Sequence, residues 1–536
     1  MDNTQFVKYN NIPQEKFEFV SGQDYAHDKK LETKSVGYLR DAMRRFAKNK
    51  GSVVAAFIIL LLVLFAIIGP FCFNQGYQDA YATHTVIKRY KELLPKVEGL
   101  EGTGFWDGTK TTEVSDRQLA MYRAMGVEMG REPIVEVLGE RTTYDVMGKA
   151  SKLYKIRLDT YAAITMFTET LTPDQYQALQ DYQNRTGKQV ILPRVNKDDA
   201  YLYGMGRIAV WYKSDSKGNP EYDKNGNFIP AYYTQEDSNL KDLAVITGYN
   251  DGYNSLRLAG DPGIDDPNSI YRYHYAQRTG SDGQYNYLVR VNPYNYFEYL
   301  FGFEPCFTFG SDSKGFDILS RLASGARFSL ILALLVSIVN LTIGAIYGAI
   351  EGYYGGVVDM AMERFSDILA NVPFMIVTVL FKLHLAAKVG LVGALIFAFI
   401  LTGWIGMASR VRMQFYRFKN QEYVLAARTL GARDRRIIWK HIFPNSLGTI
   451  ITGTVLVIPG VIFSETSLAY LNIINLDSPT MSSVGAMLSA GQAVMTSSPH
   501  VVLFPALFIA LLMISFNLFG NGLRDAFNPS LRGSDG

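Results

Sequence analysis

The stretch Phe328-Ser329-Leu330-Ile331-Leu332-Ala333-Leu334-Leu335-Val336-Ser337-Ile338-Val339-Asn340-Leu341-Thr342-Ile343-Gly344-Ala345-Ile346-Tyr347-Gly348-Ala349-Ile350 contains no Asp, Glu, Lys or Arg. A bilayer core about 30 Å thick is crossed by roughly 20 apolar residues at about 1.5 Å rise each. This run is therefore read as a membrane-crossing helix. Four others meet the test outright or nearly so: Gly51–Phe73, Val389–Ser409, Ser446–Ser464 and Val501–Leu523. A sixth, Ile368–Phe381, is shorter. It spans only if Phe365, Ser366 and Asp367 join its first turn with Pro373 bending it; the alternative is a buried soluble helix. The expected fold class is an all-α polytopic membrane protein with six transmembrane helices. Charged residues make up 19% of the chain and hydrophobic ones 48%, and the charge shortfall is concentrated in these runs. A purely soluble enzyme, a fibre and a disordered tail protein are excluded, and a net charge of +3 gives no argument for nucleic acid.

Orientation follows from where Lys and Arg collect beside the spans. Arg40, Arg44, Arg45, Lys48 and Lys50 precede the first span, against Asp41 alone. Arg410, Arg412, Arg417, Lys419, Arg428, Arg433, Arg435, Arg436 and Lys440 lie between the fourth and fifth, against Glu422 and Asp434. With six spans both segments and the C-terminus share one side, expected to be the cytoplasm. A cleaved signal peptide is not expected, because a long polar segment precedes the first span. The chain then divides into a cytoplasmic segment 1–50, a span 51–73, an extracytoplasmic insert 74–310, a core 311–530 carrying spans two to six, and a cytoplasmic tail 531–536.

The insert is long enough for a core of its own and holds 25 of the 34 tyrosines, which make either a binding face or a Tyr-rich core. Val114–Met125 and Tyr144–Leu158 have helical apolar spacing. Ile208–Tyr212 and Phe228–Tyr233 read as strands around Asp215–Pro220 and Asp223–Asn227, and Tyr285–Val291 alternates as a half-buried strand. The expectation is an inserted extracytoplasmic α+β domain. The only cysteines, Cys72 and Cys306, sit at its two ends; they either pair as a staple at its base or remain free thiols. Gly104–Thr111 resembles a phosphate loop only loosely, with its second glycine one place early and Thr109 before Lys110. No His pair has metal spacing and no Gly-x-Ser-x-Gly occurs. No catalytic residue, metal or cofactor is expected.

The loop between the fourth and fifth spans carries the functional signal: Gln421-Glu422-Tyr423-Val424-Leu425-Ala426-Ala427-Arg428-Thr429-Leu430-Gly431-Ala432-Arg433-Asp434-Arg435-Arg436-Ile437-Ile438-Trp439-Lys440-His441-Ile442-Phe443-Pro444-Asn445. Its first part is a good helix former that stops at Gly431, which suits a left-handed turn, and a second short helix runs to Pro444. Ala426 and Ala427 leave a shallow face for close packing of another protein. Leu425, Leu430 and Ile438 add apolar contacts. The alternative is a basic amphipathic segment lying on anionic lipid.

This segment resembles the coupling loop of ABC-importer permeases, a Glu-Ala-Ala, three residues, Gly pattern with a later hydrophobic-x-Leu-Pro. Ala426, Ala427, Gly431 and Pro444 match it, while Leu425, His441 and Phe443 depart from it, most of these departures being typical of the peptide/nickel branch. Four further stretches resemble the C-type permease of the oligopeptide/dipeptide/nickel family: Gly310–Leu322 with Gly325–Leu330; Gly352–Asp359 with Arg364, Asp367 and Pro373; Glu465–Leu471; and Gly520–Pro529. The resemblance covers roughly residues 38–73 and 310–530. Phe316 and Asn472 depart from the family pattern, and the insert 74–310 has no counterpart in it.

The resemblance implies a type I ABC-importer permease fold and a transport subunit, not an enzyme, working by alternating access. It implies as partners a homologous B-type permease, two cytosolic ATPase subunits, an extracytoplasmic substrate-binding protein and the bilayer. Coupling loop 420–445 would meet the ATPase through Tyr423, Leu425, Ala426, Ala427, Arg428, Gly431, Ala432 and Pro444. Candidate pathway or gate residues are Asp359, Arg364, Asp367, Pro373, Pro459 and Glu465, with an Arg364–Asp367 pair expected to brace the gate. Pro373 and Pro459-Gly460 break the helical ladder, as happens where backbone lines a cavity or packs on protein. The insert is expected to touch, or lie as a lid over, the binding protein. Oligopeptides or dipeptides are the expected substrates; nickel, a sugar or another small solute is the alternative within the family. A membrane-anchored ecto-domain protein is the alternative outside it.

Overall fold

The computed structural model describes residues 38–73, 85–144, 150–192, 221–226, 229, 274–279, 284–478 and 481–527. Two helices open the described chain, α1 (Tyr38–Lys48) and α2 (Lys50–Cys72). Asn49 separates them and caps α2, its side chain accepting the Ser52 amide at 3.2 Å. Most of α2 presents exposed apolar side chains such as Val54, Phe57, Leu60 and Ile67, as expected of a surface bathed in lipid.

Residues 85–309 contribute two antiparallel sheets. The first has the order β1 (Thr109–Ser115), β3 (Ala150–Asp159), β2 (Ile134–Tyr144), and is covered by α3 (Asp116–Met129). Ser115 and Gln118 form a capping box at the start of α3. Leu119, Tyr122 and Met125 of that helix then pack on Val114, Ile156 and Leu158. The helical expectation for Tyr144–Leu158 is corrected here. Its described residues belong to strands, Tyr144 as the end of β2 and the rest from Ala150 in β3. The apolar spacing at Tyr154, Ile156 and Leu158 has a period of two, and those residues pair across to Val114, Thr112 and Lys110. The expected helix over Val114–Met125 begins only at Asp116, because Val114 and Ser115 belong to β1.

The second sheet has the order β4 (Phe167–Leu171), β7 (Gln284–Val291), β5 (Ile191–Leu192), with β6 (His274–Thr279) also pairing with β7. Helices α4 (Pro173–Thr186) and α5 (Pro293–Phe301) flank it. Its core gathers Tyr90, Phe167, Tyr176, Leu179, Val289, Val291, Phe297 and Phe307, so Tyr90 and Tyr176 are packing residues. The expected strand Tyr285–Val291 lies inside β7. The expected strands Ile208–Tyr212 and Phe228–Tyr233 lie outside the described residues, save Ile229. The turn after Asp223 is present, with the Gly226 amide 3.1 Å from the Asp223 carbonyl.

The remaining described chain is helical: α6 (Ile318–Tyr354), α7 (Gly356–Ala370), α8 (Phe374–His384), α9 (Ala386–Gly403), α10 (Ile405–Phe418), α11 (Glu422–Thr429), α12 (Phe443–Val455), α13 (Val457–Tyr470), α14 (Val484–Gln492) and α15 (His500–Phe527). Among the described residues five helical stretches are long and apolar enough to cross a membrane: Lys50–Cys72, Ile318–Tyr354, Ala386–Phe418, Asp434–Tyr470 and His500–Phe527. Each matches one of the five charge-free runs, the first of which extends one residue past its helix, to Phe73. The short sixth run differs from its expectation. α7 and α8 meet at a bend of 74°, and Pro373 caps α8 instead of bending a continuous helix. Proline has no amide to donate and disfavours a helical residue before it, so the ladder stops at Ala370 and restarts at Phe374.

Two features set the positions of the rest. Gly344, Gly348 and Gly352 form a stripe on α6 against which α10 packs at backbone distance; a Cβ at Gly348 would stand 2.1 Å from the Ala408 carbonyl oxygen. At the other end of α6, Asp317 caps the helix by accepting the Leu319 and Ser320 amides at 3.2 and 3.1 Å. Here the sheets are seated on the helices. Leu93 and Ser311 exchange backbone and side-chain hydrogen bonds of 2.8–2.9 Å. Phe309 stacks on Phe504 of α15 with ring centroids 4.1 Å apart.

Candidate coupling site and arginine clasp

α11 is a short helix with one buried and one exposed face. Val424 and Ala427 point inward, Val424 into a core with Met407, Val411 and Phe415 of α10 and Ile437, Ile438 and Ile442. Tyr423, Leu425, Ala426, Arg428 and Leu430 point outward, and Leu430 is 88% exposed. The expected two-alanine face is thus corrected to one alanine: a helix turns about 100° per residue, so adjacent alanines diverge, and Ala427 is held inside. The shallow outer surface is Tyr423, Ala426 and Leu430 with Leu425 beside it.

Gly431 ends the helix in the left-handed conformation, φ +80°. Its amide bonds the Arg428 carbonyl at 2.9 Å and the Ala432 amide reaches back to Ala427 at 3.0 Å, a Schellman closure. Ala432 is half-buried and Pro444 exposed. The second helix does not end at Pro444. A turn at Asp434–Arg436 leads through a π-helical stretch, Ile437–Ile442, straight into α12. The wide register, with the Phe443 amide bonded to Ile438, lets the chain pass Pro444, whose nitrogen has nothing to donate. The elbow is tied to α6 as well: the Tyr353 hydroxyl donates to Asp434 Oδ1 at 2.6 Å, and the Arg428 guanidinium lies 5.9 Å from the Tyr353 ring centre.

Close to the elbow, where α6 ends and α7 begins, lies a charge cluster that sequence reasoning did not assemble. Arg412 of α10 holds Asp359 of α7 bidentately, at 2.6 and 2.8 Å, and Glu363 at 2.8 and 3.0 Å. Glu351 of α6 stands 3.6 Å from the same guanidinium. Tyr416 donates to Asp359 at 2.5 Å, and Lys419 donates to the Gly352 carbonyl at 3.0 Å. One planar guanidinium thereby clasps three helices. The expected Arg364–Asp367 brace is corrected in kind. That pair exists at 3.4 Å, but both side chains are largely exposed and join neighbouring turns of one helix. The available signal was Arg412 just beyond a charge-free run, with Glu351 just beyond another.

The other candidates are dispersed. Pro373 is exposed at the α7–α8 bend and Pro459 is buried in α13. Glu465 is fully buried, its Oε2 accepting the Ser329 hydroxyl of α6 at 3.1 Å, so it faces packing and not an open pathway. Cys72 is an exposed free thiol; Cys306 is a half-buried free thiol directed at the Lys96 carbonyl.

Residues 340–533 match the binding-protein-dependent transport system inner membrane component family, and residues 37–91 match the N-terminal TM domain of oligopeptide transport permease C. The oligopeptide transport system permease protein OppC of Bacillus subtilis is 43% identical over 224 residues, covering 42% of this chain and 72% of that protein. The chain belongs to the C-type branch of the oligopeptide/dipeptide ABC permeases. The permease is also similar to the dipeptide transport system permease protein DppC of Bacillus subtilis, at 39% identity over 42% of this chain and 69% of that one. A solved structure of the inward-facing MetNI methionine ABC transporter shares 15% identity over 39% of the permease and 96% of that chain; its TM-score of 0.33 is too low to argue from. The chain is a multi-pass membrane transport permease.

Proposed function

We propose that this permease forms half of the translocation pathway of an ATP-driven importer of oligopeptides or dipeptides. On this reading it has six spans, the bent α7–α8 pair making the third, with both termini in the cytoplasm and residues 74–310 as an extracytoplasmic insert. Its partners are a B-type permease, two cytosolic ATPases and an extracytoplasmic binding protein. The observation that carries the reading is the exposed apolar end of the elbow. Leu430 stands almost fully in the open beside Tyr423, Ala426 and Leu425, while the underside is locked into the core of α10 and α12. An exposed apolar tip on a rigid mount is suited to docking in a partner's cleft.

The mechanism follows from the mount. α11 is closed by the Schellman turn at Leu430–Arg433, and the run from Asp434 then leads directly into α12 and α13, so displacement of the elbow moves that run. Arg412 keeps α6, α7 and α10 together as it does so. Asp359 acts as a positioning residue for this clasp. The energy comes from the ATPases, and the permease contributes shape change.

The test is Leu430→Glu, which places a charge on the exposed tip without touching the core. Loss of ATPase co-purification and of peptide uptake, with unchanged membrane insertion, is the expected result. Retained co-purification and uptake would overturn the coupling role.

A further inference from the structure

A cleft of about 930 Å³ lies where both sheets meet the segment leading into α15. That volume sits within the range of about 300–1,000 Å³ typical of small-molecule sites, and is a concavity instead of the flat face a folded partner would cover. Its apolar lining includes Val86, Leu93, Ile164 and Phe167, all buried. Its charges are unbalanced. Lys88, Arg89, Lys91 and Lys110 line it, and no carboxylate pairs with the three lysines among the described residues. Arg89 lies over the Phe167 ring at 5.2 Å. The lining holds two carboxylates against these four cations: Glu92, oriented by the Ser498 hydroxyl at 2.9 Å, and Glu169, which has the Arg89 charge beside it, so positive charge is in excess. Like charges gathered round a concavity repel one another and draw in an anion. Glu92 also holds a left-handed backbone, φ +59°, an arrangement that costs energy in a non-glycine residue and clusters at functional positions.

We infer that this cleft binds a small organic carboxylate with an apolar body, namely a short peptide held through its C-terminal carboxylate by Lys88, Lys91 and Lys110. The carboxylate requirement stands on the lysines alone; that the ligand is a peptide rests on the permease reading above. Glu92 joins the cleft wall to Ser498, two residues before α15 begins, so a bound ligand bears directly on the last candidate span.

The experiment uses the full chain purified in detergent, with the tripeptide Ala-Ala-Phe and its C-terminal amide as probes in calorimetric titrations. The acid should bind, and the amide at least tenfold more weakly. The triple variant Lys88→Gln, Lys91→Gln, Lys110→Gln, which alters exposed side chains only, should hold the acid no better than wild type holds the amide. Equal binding of acid and amide, no binding of either, or undiminished binding by the variant would each overturn the inference. Uptake by the assembled transporter, measured alongside, separates the two readings. Uptake without cleft binding removes the cleft and leaves the permease role; cleft binding without uptake does the reverse.

Discussion

The α-carbon of Gly348 faces Ala408 so closely that a methyl group there would stand 2.1 Å from the Ala408 carbonyl oxygen. Backbone carbonyls in the middle of a helix cannot step aside, so α6 and α10 meet at this distance only because residue 348 has no side chain. The whole elbow is built on that contact, since α10 carries both Arg412 and the core under α11. Gly348→Leu is expected to separate the helices and lower stability by at least roughly 1–3 kcal/mol, the usual cost of overpacking. Gly406→Ala, where the added carbon meets nothing within 4 Å, should be neutral or slightly stabilising. Thermal unfolding of the two variants in detergent checks the contrast.

Arg412→Gln removes the positive member of a cluster with three carboxylates. Because Arg412 and Glu363 are partly exposed, the loss should be roughly 2–3 kcal/mol, less than for a fully buried pair. Adding Asp359→Asn should recover part of it, by removing a carboxylate the guanidinium no longer balances. A double-mutant cycle on the melting temperature measures the coupling, and strict additivity would show the clasp to be idle.

Gly431 has open space around it, so any substitution effect there comes from backbone conformation alone. Gly431→Val should strain the turn by about 1–2 kcal/mol and weaken ATPase capture, whereas Gly431→Asn, which tolerates the left-handed region, should stay near wild type. Equal behaviour of the two variants in co-purification would show that the turn does not depend on φ.

Burial pushes the Asp317 carboxyl up to about 7, against the opposing pull of the Ser320 and Leu319 amides, while nearby Asp312 raises it further. Arg321 is paired with Asp312 and Asp477 and so is not free to offset it. An aspartate free in the unfolded chain titrates near 3.9. Between about pH 4 and 7 the folded state therefore holds the extra proton, and stability declines as pH rises through that window, levelling off above 7. Asp317→Asn keeps a good helix cap and removes the titration. The melting temperature of the variant minus that of wild type should rise from pH 4 to pH 7; a flat difference would refute the assignment.

Cys306 is a poor nucleophile, because burial pushes its thiol up. Cys72, exposed at the end of α2, should react with maleimide well before it. Mass mapping without reductant should find both as thiols; a Cys72–Cys306 linked peptide would contradict the structure.

The apolar runs were legible because the absence of charge over some twenty residues has only one common physical reason, and all five appear as long helices. Gly431 was legible for a similar reason, a glycine directly after a strong helix former. The face of α11 was not: residues 426 and 427 are identical in type, and only the packing of Val424 against Phe415 decides which alanine is left outside. Arg412 was counted among the basic loop residues, since nothing local distinguishes an arginine that points at lipid headgroups from one that reaches back to another helix. Its partners Glu351 and Asp359 lie more than fifty positions earlier in the chain. The period of Tyr144–Leu158 was ambiguous because Tyr144, Met147, Tyr154 and Leu158 fit a helical stripe as well as Tyr154, Ile156 and Leu158 fit a strand.

The run from Asp434 to Tyr470 has one further consequence. At about 1.5 Å per residue it is a rod of roughly 55 Å, with the elbow at one end and Glu465, sealed against Ser329, near the other. Such a strut has little slack. On the proposed coupling role, torque applied to the foot would travel along it as tilt, so the elbow and the Glu465–Ser329 contact sit at two ends of a single lever.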